Sequence, residues 1–228
     1  MMRNQLFHLF VLLISAAPAT LAFPKPEMVL FSAEGGTDEE PSTVFFYGDG
    51  AASGNRTNAT KIETIYRSAL LDDLSNALLQ YNADIIVVEL RQKANRVASA
   101  WFDVSDKTGL NTSNWFSPER LLYTIPFWMY NNGRSVPKFA HFSIAGHNRS
   151  SSSNRTFYIH KFDDRDCDND RGFMGIVESD KDDCLMPFAN KAGIAKLPIF
   201  FYAKYDAPYL EKVVGFADHL LIYMDHIV

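Results

Sequence analysis

Asp84-Ile85-Ile86-Val87-Val88-Glu89-Leu90-Arg91 and, after a short polar break, Arg96-Val97-Ala98-Ser99-Ala100-Trp101-Phe102-Asp103-Val104 decide the fold class. Both runs are rich in β-branched and aromatic residues, which suit a pleated, half-buried surface. Two such runs parted by a few polar residues have the pattern of a β-hairpin. Further strands are expected at residues 139–145, 156–162, 172–178, 197–205 and 216–223. In the second of these, Phe157, Ile159 and Lys161 share one face, and Tyr158, His160 and Phe162 the other. Neither face is purely polar, so both are expected to be partly covered.

Toward the N-terminus the period changes. Ile62, Ile65, Tyr66, Ala69, Leu70, Leu74, Ala77, Leu78 and Tyr81 recur every three or four residues, which predicts an amphipathic helix. Thr60 and Glu63 have the spacing of a capping box at its start. Ser117-Pro118-Glu119 suits the start of a second, short helix. Residues 23–60 combine Pro24, Pro26, Gly35-Gly36 and the acidic run Asp38-Glu39-Glu40, and read as a partly disordered lead-in. Within it, Val44-Phe45-Phe46-Tyr47 is expected to add a strand. There is no internal repeat and no parallel βαβ alternation. The expected architecture is mostly β (α+β): an antiparallel β-sandwich with one amphipathic helix packed against it and one disulfide, built from residues 61–228.

Residues 1–22 open with Arg3, continue with an apolar centre and end on the small residues Thr20 and Ala22. That order is the pattern of a secretory signal peptide, and the apolar run falls short of the roughly 20 residues a bilayer span requires. Five N-linked acceptor patterns follow, at Asn55, Asn58, Asn111, Asn148 and Asn154. Each falls where an exposed loop is expected, and a glycan there would solubilise the surface around it. No later stretch suits a membrane anchor, so the expected location is extracellular, as a secreted glycoprotein.

In an oxidising compartment Cys167 and Cys184 most simply form one disulfide. Closing that loop is worth about 3 kcal/mol by chain entropy. The alternative, two reactive or metal-binding thiols, lacks partners at a recognised spacing. Residues 163–183, which contain Cys167, hold nine acidic residues against three basic ones. Asp166, Asp168 and Asp170 stand at alternate positions, a spacing that offers several oxygens to a hard cation such as Ca²⁺. The match to an EF-hand fails, because glycine comes one place late and Val177 stands where glutamate is needed. A solvated hairpin tip is the plainer reading of the same charges.

The chain has 228 residues, is 47% hydrophobic and 14% aromatic, and carries a net charge of −5. That composition supports a packed core and argues against a general nucleic-acid binder. Serine nucleophile elbows, glycine-rich phosphate loops and paired histidine spacings are all missing from the sequence, so no enzyme and no obligatory cofactor are expected. Aromatic clusters at Trp101-Phe102, Trp115-Phe116 and Phe127-Trp128 allow a lectin-like alternative, with Trp115 or Trp128 stacking on sugar rings.

Several motifs between about residues 62 and 225 resemble the uncharacterised skeletal organic matrix proteins of stony corals and similar secreted cnidarian proteins. They are Asn114-Trp115-Phe116-Ser117-Pro118-Glu119-Arg120-Leu121-Leu122, residues 139–144, Arg155-Thr156-Phe157-Tyr158-Ile159, Cys167-Asp168-Asn169-Asp170-Arg171-Gly172-Phe173, Cys184, Leu197-Pro198-Ile199-Phe200-Phe201-Tyr202 and Phe216-Ala217-Asp218. Phe173 stands where the family usually has tryptophan. The resemblance implies a shared extracellular domain and no enzymatic chemistry. It makes extracellular matrix the expected partner, to which the acidic loop adds a mineral surface and the aromatic clusters add glycans; oligomeric state is left open.

Overall fold

The computed structural model of the protein describes residues 28–47, 64–126, 141–146, 155–160, 171–178, 193, 196–204 and 214–226. Two antiparallel sheets enclose one core, as the strand pattern predicts. The larger sheet has six strands, in the order β2 (Ile65–Arg67), β1 (Val29–Glu34), β11 (His219–Asp225), β3 (Ile85–Gln92), β4 (Asn95–Asp103) and β5 (Leu121–Ile125). The smaller has five: β10 (Val214–Ala217), β9 (Ile199–Ala203), β8 (Gly172–Val177), β7 (Arg155–His160) and β6 (His141–Ser143). Among the described residues no helix is long and apolar enough to cross a membrane.

Alternation along the strands sets the two faces of the larger sheet. Ile86, Val88 and Leu90 of β3, with Ala98, Ala100 and Phe102 of β4, face the smaller sheet and join Phe157, Ile159, Phe173 and Phe200 in the core. Burying a phenylalanine completely contributes about 2–3 kcal/mol. The opposite face holds a second apolar cluster of Val29, Tyr66, Ile85, Val87, Trp101, Leu221 and Tyr223. All six residues of β7 are buried, so this strand is covered on both faces, as its lack of a polar side predicts.

The hairpin of β3 and β4 turns on two residues, Lys93 and Ala94, with Gln92 paired to Asn95 across them. Both have positive φ, 49° and 68°, the conformation of a type I′ turn without its usual glycine or asparagine. Lys93 N donates to Asp218 Oδ2 at 3.0 Å, which holds the turn against the start of β11.

Five expectations need correction. Residues 60–81 do not form one helix. Ile65–Arg67 pairs with β1, Ala69–Asp73 is a 3₁₀ turn capped by Ser68, and only Leu74–Gln80 is α-helical (α2). An edge place beside β1 satisfied Ile65 and Tyr66 better than continued helix, and Asp73 Oδ1 then caps α2 by accepting from Asn76 N at 3.3 Å. The expected cap at Thr60 and Glu63 lies outside the described residues. The helix does pack on the fold: Leu74, Ala77 and Leu78 are buried.

The stretch read as lead-in holds β1, which lies between β2 and β11, so the sandwich takes in residues 28–47 as well as those beyond 61. Val44-Phe45-Phe46-Tyr47 is helical and not a strand: α1 (Pro41–Tyr47) starts on a proline, favoured in a first turn, and buries Phe45. Residues 117–120 make a turn only, closed by Arg120 N donating to Ser117 O at 3.3 Å. Finally, residues 216–223 are not one strand. Asp218 parts β10 from β11, and the chain passes there from the smaller sheet to the larger. Asp218 N donates to Arg91 O at 3.0 Å, and Gly35 N donates to Asp218 O at 2.9 Å, which pins the crossing.

Candidate functional site

Of the residues singled out by sequence, Asn111 lies among the described ones, and it occupies an exposed turn. The turn is held from below: Trp115 and Leu110 are buried, Trp115 Nε1 donates to Thr112 O at 2.8 Å, and Thr112 Oγ1 donates to Leu71 O at 3.2 Å. Asn111 Oδ1 accepts from Ser113 N at 3.0 Å and Asn114 N at 2.9 Å, and Ser113 Oγ stands 3.4 Å away. Asn114 returns the contact, with Oδ1 accepting from Asn111 N at 2.8 Å. These bonds engage the amide oxygen and leave Nδ2, the atom that a glycan would modify, without a partner.

The remaining acceptors Asn55, Asn58, Asn148 and Asn154 lie outside the described residues, as do Cys167, Cys184, Asp166, Asp168 and Asp170. β8 lies within the acidic segment, and Asp166, Asp168 and Asp170 come before it in the chain. β7 and β8 pair with His160 opposite Gly172, so residues 161–171 connect neighbouring antiparallel strands. Arg155 and Thr156, the rest of the last acceptor pattern, are buried in β7.

The aromatic alternative loses one of its two tryptophans. Trp115 is 0% exposed and packs edge-on against Phe102 and Phe116, so it cannot stack on a sugar. Trp101 is also buried, with its ring stacked on Tyr123 at 4.5 Å. Trp128 lies outside the described residues.

The most concentrated buried chemistry is one that sequence reading missed. Glu89, in the middle of β3, is fully buried on the outer face of the larger sheet. Its Oε1 accepts from Arg91 Nε, and its Oε2 from Arg96 Nε at 2.6 Å and the Tyr223 hydroxyl at 3.1 Å. Arg96 Nη2 donates in turn to the Tyr223 oxygen at 3.2 Å, and the guanidinium lies 5.0 Å from the centre of the Trp101 ring. One carboxylate thus ties β3, β4 and β11 together. Burial and the Glu89 charge push the Tyr223 phenol well above its usual range. With donors from three strands on its two oxygens, Glu89 holds their register. Ser99, paired opposite Glu89, has a buried hydroxyl with no hydrogen-bond partner. A lone glutamate inside an apolar run was the available signal, but its partner Tyr223 is 134 residues away.

A second buried carboxyl, Glu178, follows β8 and meets α1 from the other sheet. Its Oε2 accepts from Ser42 N at 3.0 Å, and Oε1 accepts from Ser42 Oγ. Burial pushes its pKa up, against the opposing pull of the Ser42 donors.

No protein-family model, no curated protein and no solved structure matches this chain.

Proposed function

We propose that the protein is a secreted, N-glycosylated, non-enzymatic component of an extracellular assembly, such as an organic or skeletal matrix. The observation that carries this reading is the Asn111 turn. Its asparagine is exposed, its amide nitrogen is unengaged, and the following hydroxyl residue is within reach of the side chain. The export-like residues 1–22 and the five acceptor patterns support the same compartment. The acidic segment at Asp166, Asp168 and Asp170 supplies the chemistry for weak contact with Ca²⁺ or a mineral surface, and the Cys167–Cys184 bridge would restrain it.

The test is expression of the full chain in a secreting eukaryotic cell. The protein should enter the medium and lose mass on treatment with a glycan-releasing amidase, and Asn111→Gln should remove one glycan's worth of that mass. Retention in the cell, or an unmodified secreted chain, would overturn the reading. For the ion, calorimetric titration with Ca²⁺ should give heat at up to millimolar concentration that Asp166→Asn, Asp168→Asn and Asp170→Asn together abolish.

A further inference from the structure

Two turns at the same end of the larger sheet, where β3 begins and β4 ends, bring an amine, an amide and a carboxylate together. Lys107 Nζ donates to Asn82 Oδ1 at 3.0 Å and lies 3.1 Å from Asp84 Oδ1. Asn82 and Asp84 belong to the link between α2 and β3, and Lys107 to the turn after β4. Backbone bonds fix both turns: Asn82 N donates to Leu79 O at 3.2 Å, and Lys107 N to Val104 O at 3.0 Å. Val104 N donates to Asp84 O at 2.9 Å, which joins one turn to the other.

Asn82 and Lys107 both have positive φ, 51° and 50°. Asparagine tolerates that conformation, but lysine rarely adopts it, so the turn holds Lys107 in place at a cost in backbone strain. Strain of this kind clusters at functional sites. The Lys107 side chain is 12% exposed and that of Asp84 29%, so the ammonium is kept against its two partners and out of open water.

We propose that Lys107 and Asn82 join in an intramolecular amide bond, with Asp84 carrying the protons. An ammonium cannot attack, so Asp84 Oδ1 first takes a proton from Nζ as a general base. The last torsion of an asparagine side chain is soft, and turning it brings Cγ to the freed amine. Nζ bonds to Cγ, and the carbonyl electron pair moves to Oδ1. Asp84 passes its proton to Nδ2 and takes another from Nζ. The carbonyl then re-forms, the Cγ–Nδ2 bond breaks and ammonia leaves. Ammonia takes the last proton, so Asp84 ends as the carboxylate it began as and no outside reactant is consumed. Well-oriented neighbours gain an effective concentration of about 10⁵ M or more, which is what makes so slow a reaction feasible here. The bond ties the end of α2 to the turn beyond β4, 25 positions along the chain, and reducing agents leave it intact.

Peptide mass mapping of the purified, folded full chain tests this. Trypsin cuts at Arg91, Lys93 and Arg96, so Asn82 and Lys107 fall in different fragments. Those fragments should travel joined, lighter than their sum by one ammonia and uncut after Lys107. Lys107→Arg and Asn82→Ala should each give separate fragments of full mass. Asp84→Ala should slow linking about a hundredfold, the least that a positioned general base contributes. Separate wild-type fragments of full mass would overturn the proposal, and that measurement decides even where a variant fails to fold. A link lighter by one water, which joins Lys107 to Asp84, would overturn it too, as would linking at the wild-type rate in Asp84→Ala.

Discussion

The ring of Tyr202 fills the space beside Gly215, its direct partner across β9 and β10. A Cβ at position 215 would stand 2.3 Å from Tyr202 Cζ and 2.5 Å from its hydroxyl oxygen. Gly175 is covered in the same way by Phe201, whose Cζ would be 2.7 Å from a Cβ. The glycines on these strands thus give aromatic neighbours a surface to lie on, as aromatic rescue of strand glycines describes.

Gly215→Ala should therefore destabilise the fold by about 1–3 kcal/mol through overpacking. Chemical denaturation measures it. In a Tyr202→Ala background the same change should cost far less, and an equal cost in both backgrounds would break the link between the two residues.

The turn at Lys93 and Ala94 invites the opposite result. Two left-handed residues without glycine are strained, by about 1–2 kcal/mol each. Ala94→Gly and Lys93→Asn should each raise stability by about 1 kcal/mol, seen as a higher melting temperature.

Glu89→Ala should cost about 3 kcal/mol or more, because it leaves two guanidinium groups in a buried site without their carboxylate. Glu89→Gln should cost less, since the amide oxygen still accepts. Unfolding in urea separates the two variants.

Tyr223 predicts a pH signature. Its phenol is buried and faces a carboxylate, and both effects favour the protonated form. Stability from this group is present below the ordinary phenol value of about 10 and is lost as pH rises through the folded value. Ultraviolet titration should show a tyrosine that resists ionisation near pH 10 until the protein unfolds, and Tyr223→Phe should remove that lagging step.

The two-sheet architecture was legible because strands β3, β4, β7, β8 and β9 carry their own pattern of β-branched and aromatic residues between polar breaks. What failed were places where one period imitates another. Ile65, Tyr66, Leu70 and Leu74 fall at helical spacing, yet the first two belong to a strand, because β1 offered Ser32 and Ala33 as ladder partners. Phe216-Ala217 and Leu220-Leu221-Ile222-Tyr223 read as one strand because only two polar residues part them, although the chain changes sheets at Asp218. β1 went unseen because Pro26 and Gly35-Gly36 made its surroundings read as loop, although Val29-Leu30-Phe31 is a short apolar run bounded by those very signals. The Asn111 turn was legible from a local motif. The contacts of Glu89 with Tyr223 and of Glu178 with Ser42 were not, since each joins residues more than 100 positions apart and local pattern carries no trace of such meetings.

β11 comes after every other described strand, yet it sits between β1 and β3 in the larger sheet. A nascent chain that has not reached residue 219 has nothing to place between those two strands, and it must keep their apolar edges apart from other chains while it waits. The join is also of high sequence separation, which slows folding. Synthesis order therefore makes this a molecule whose final assembly is postponed to its last described strand.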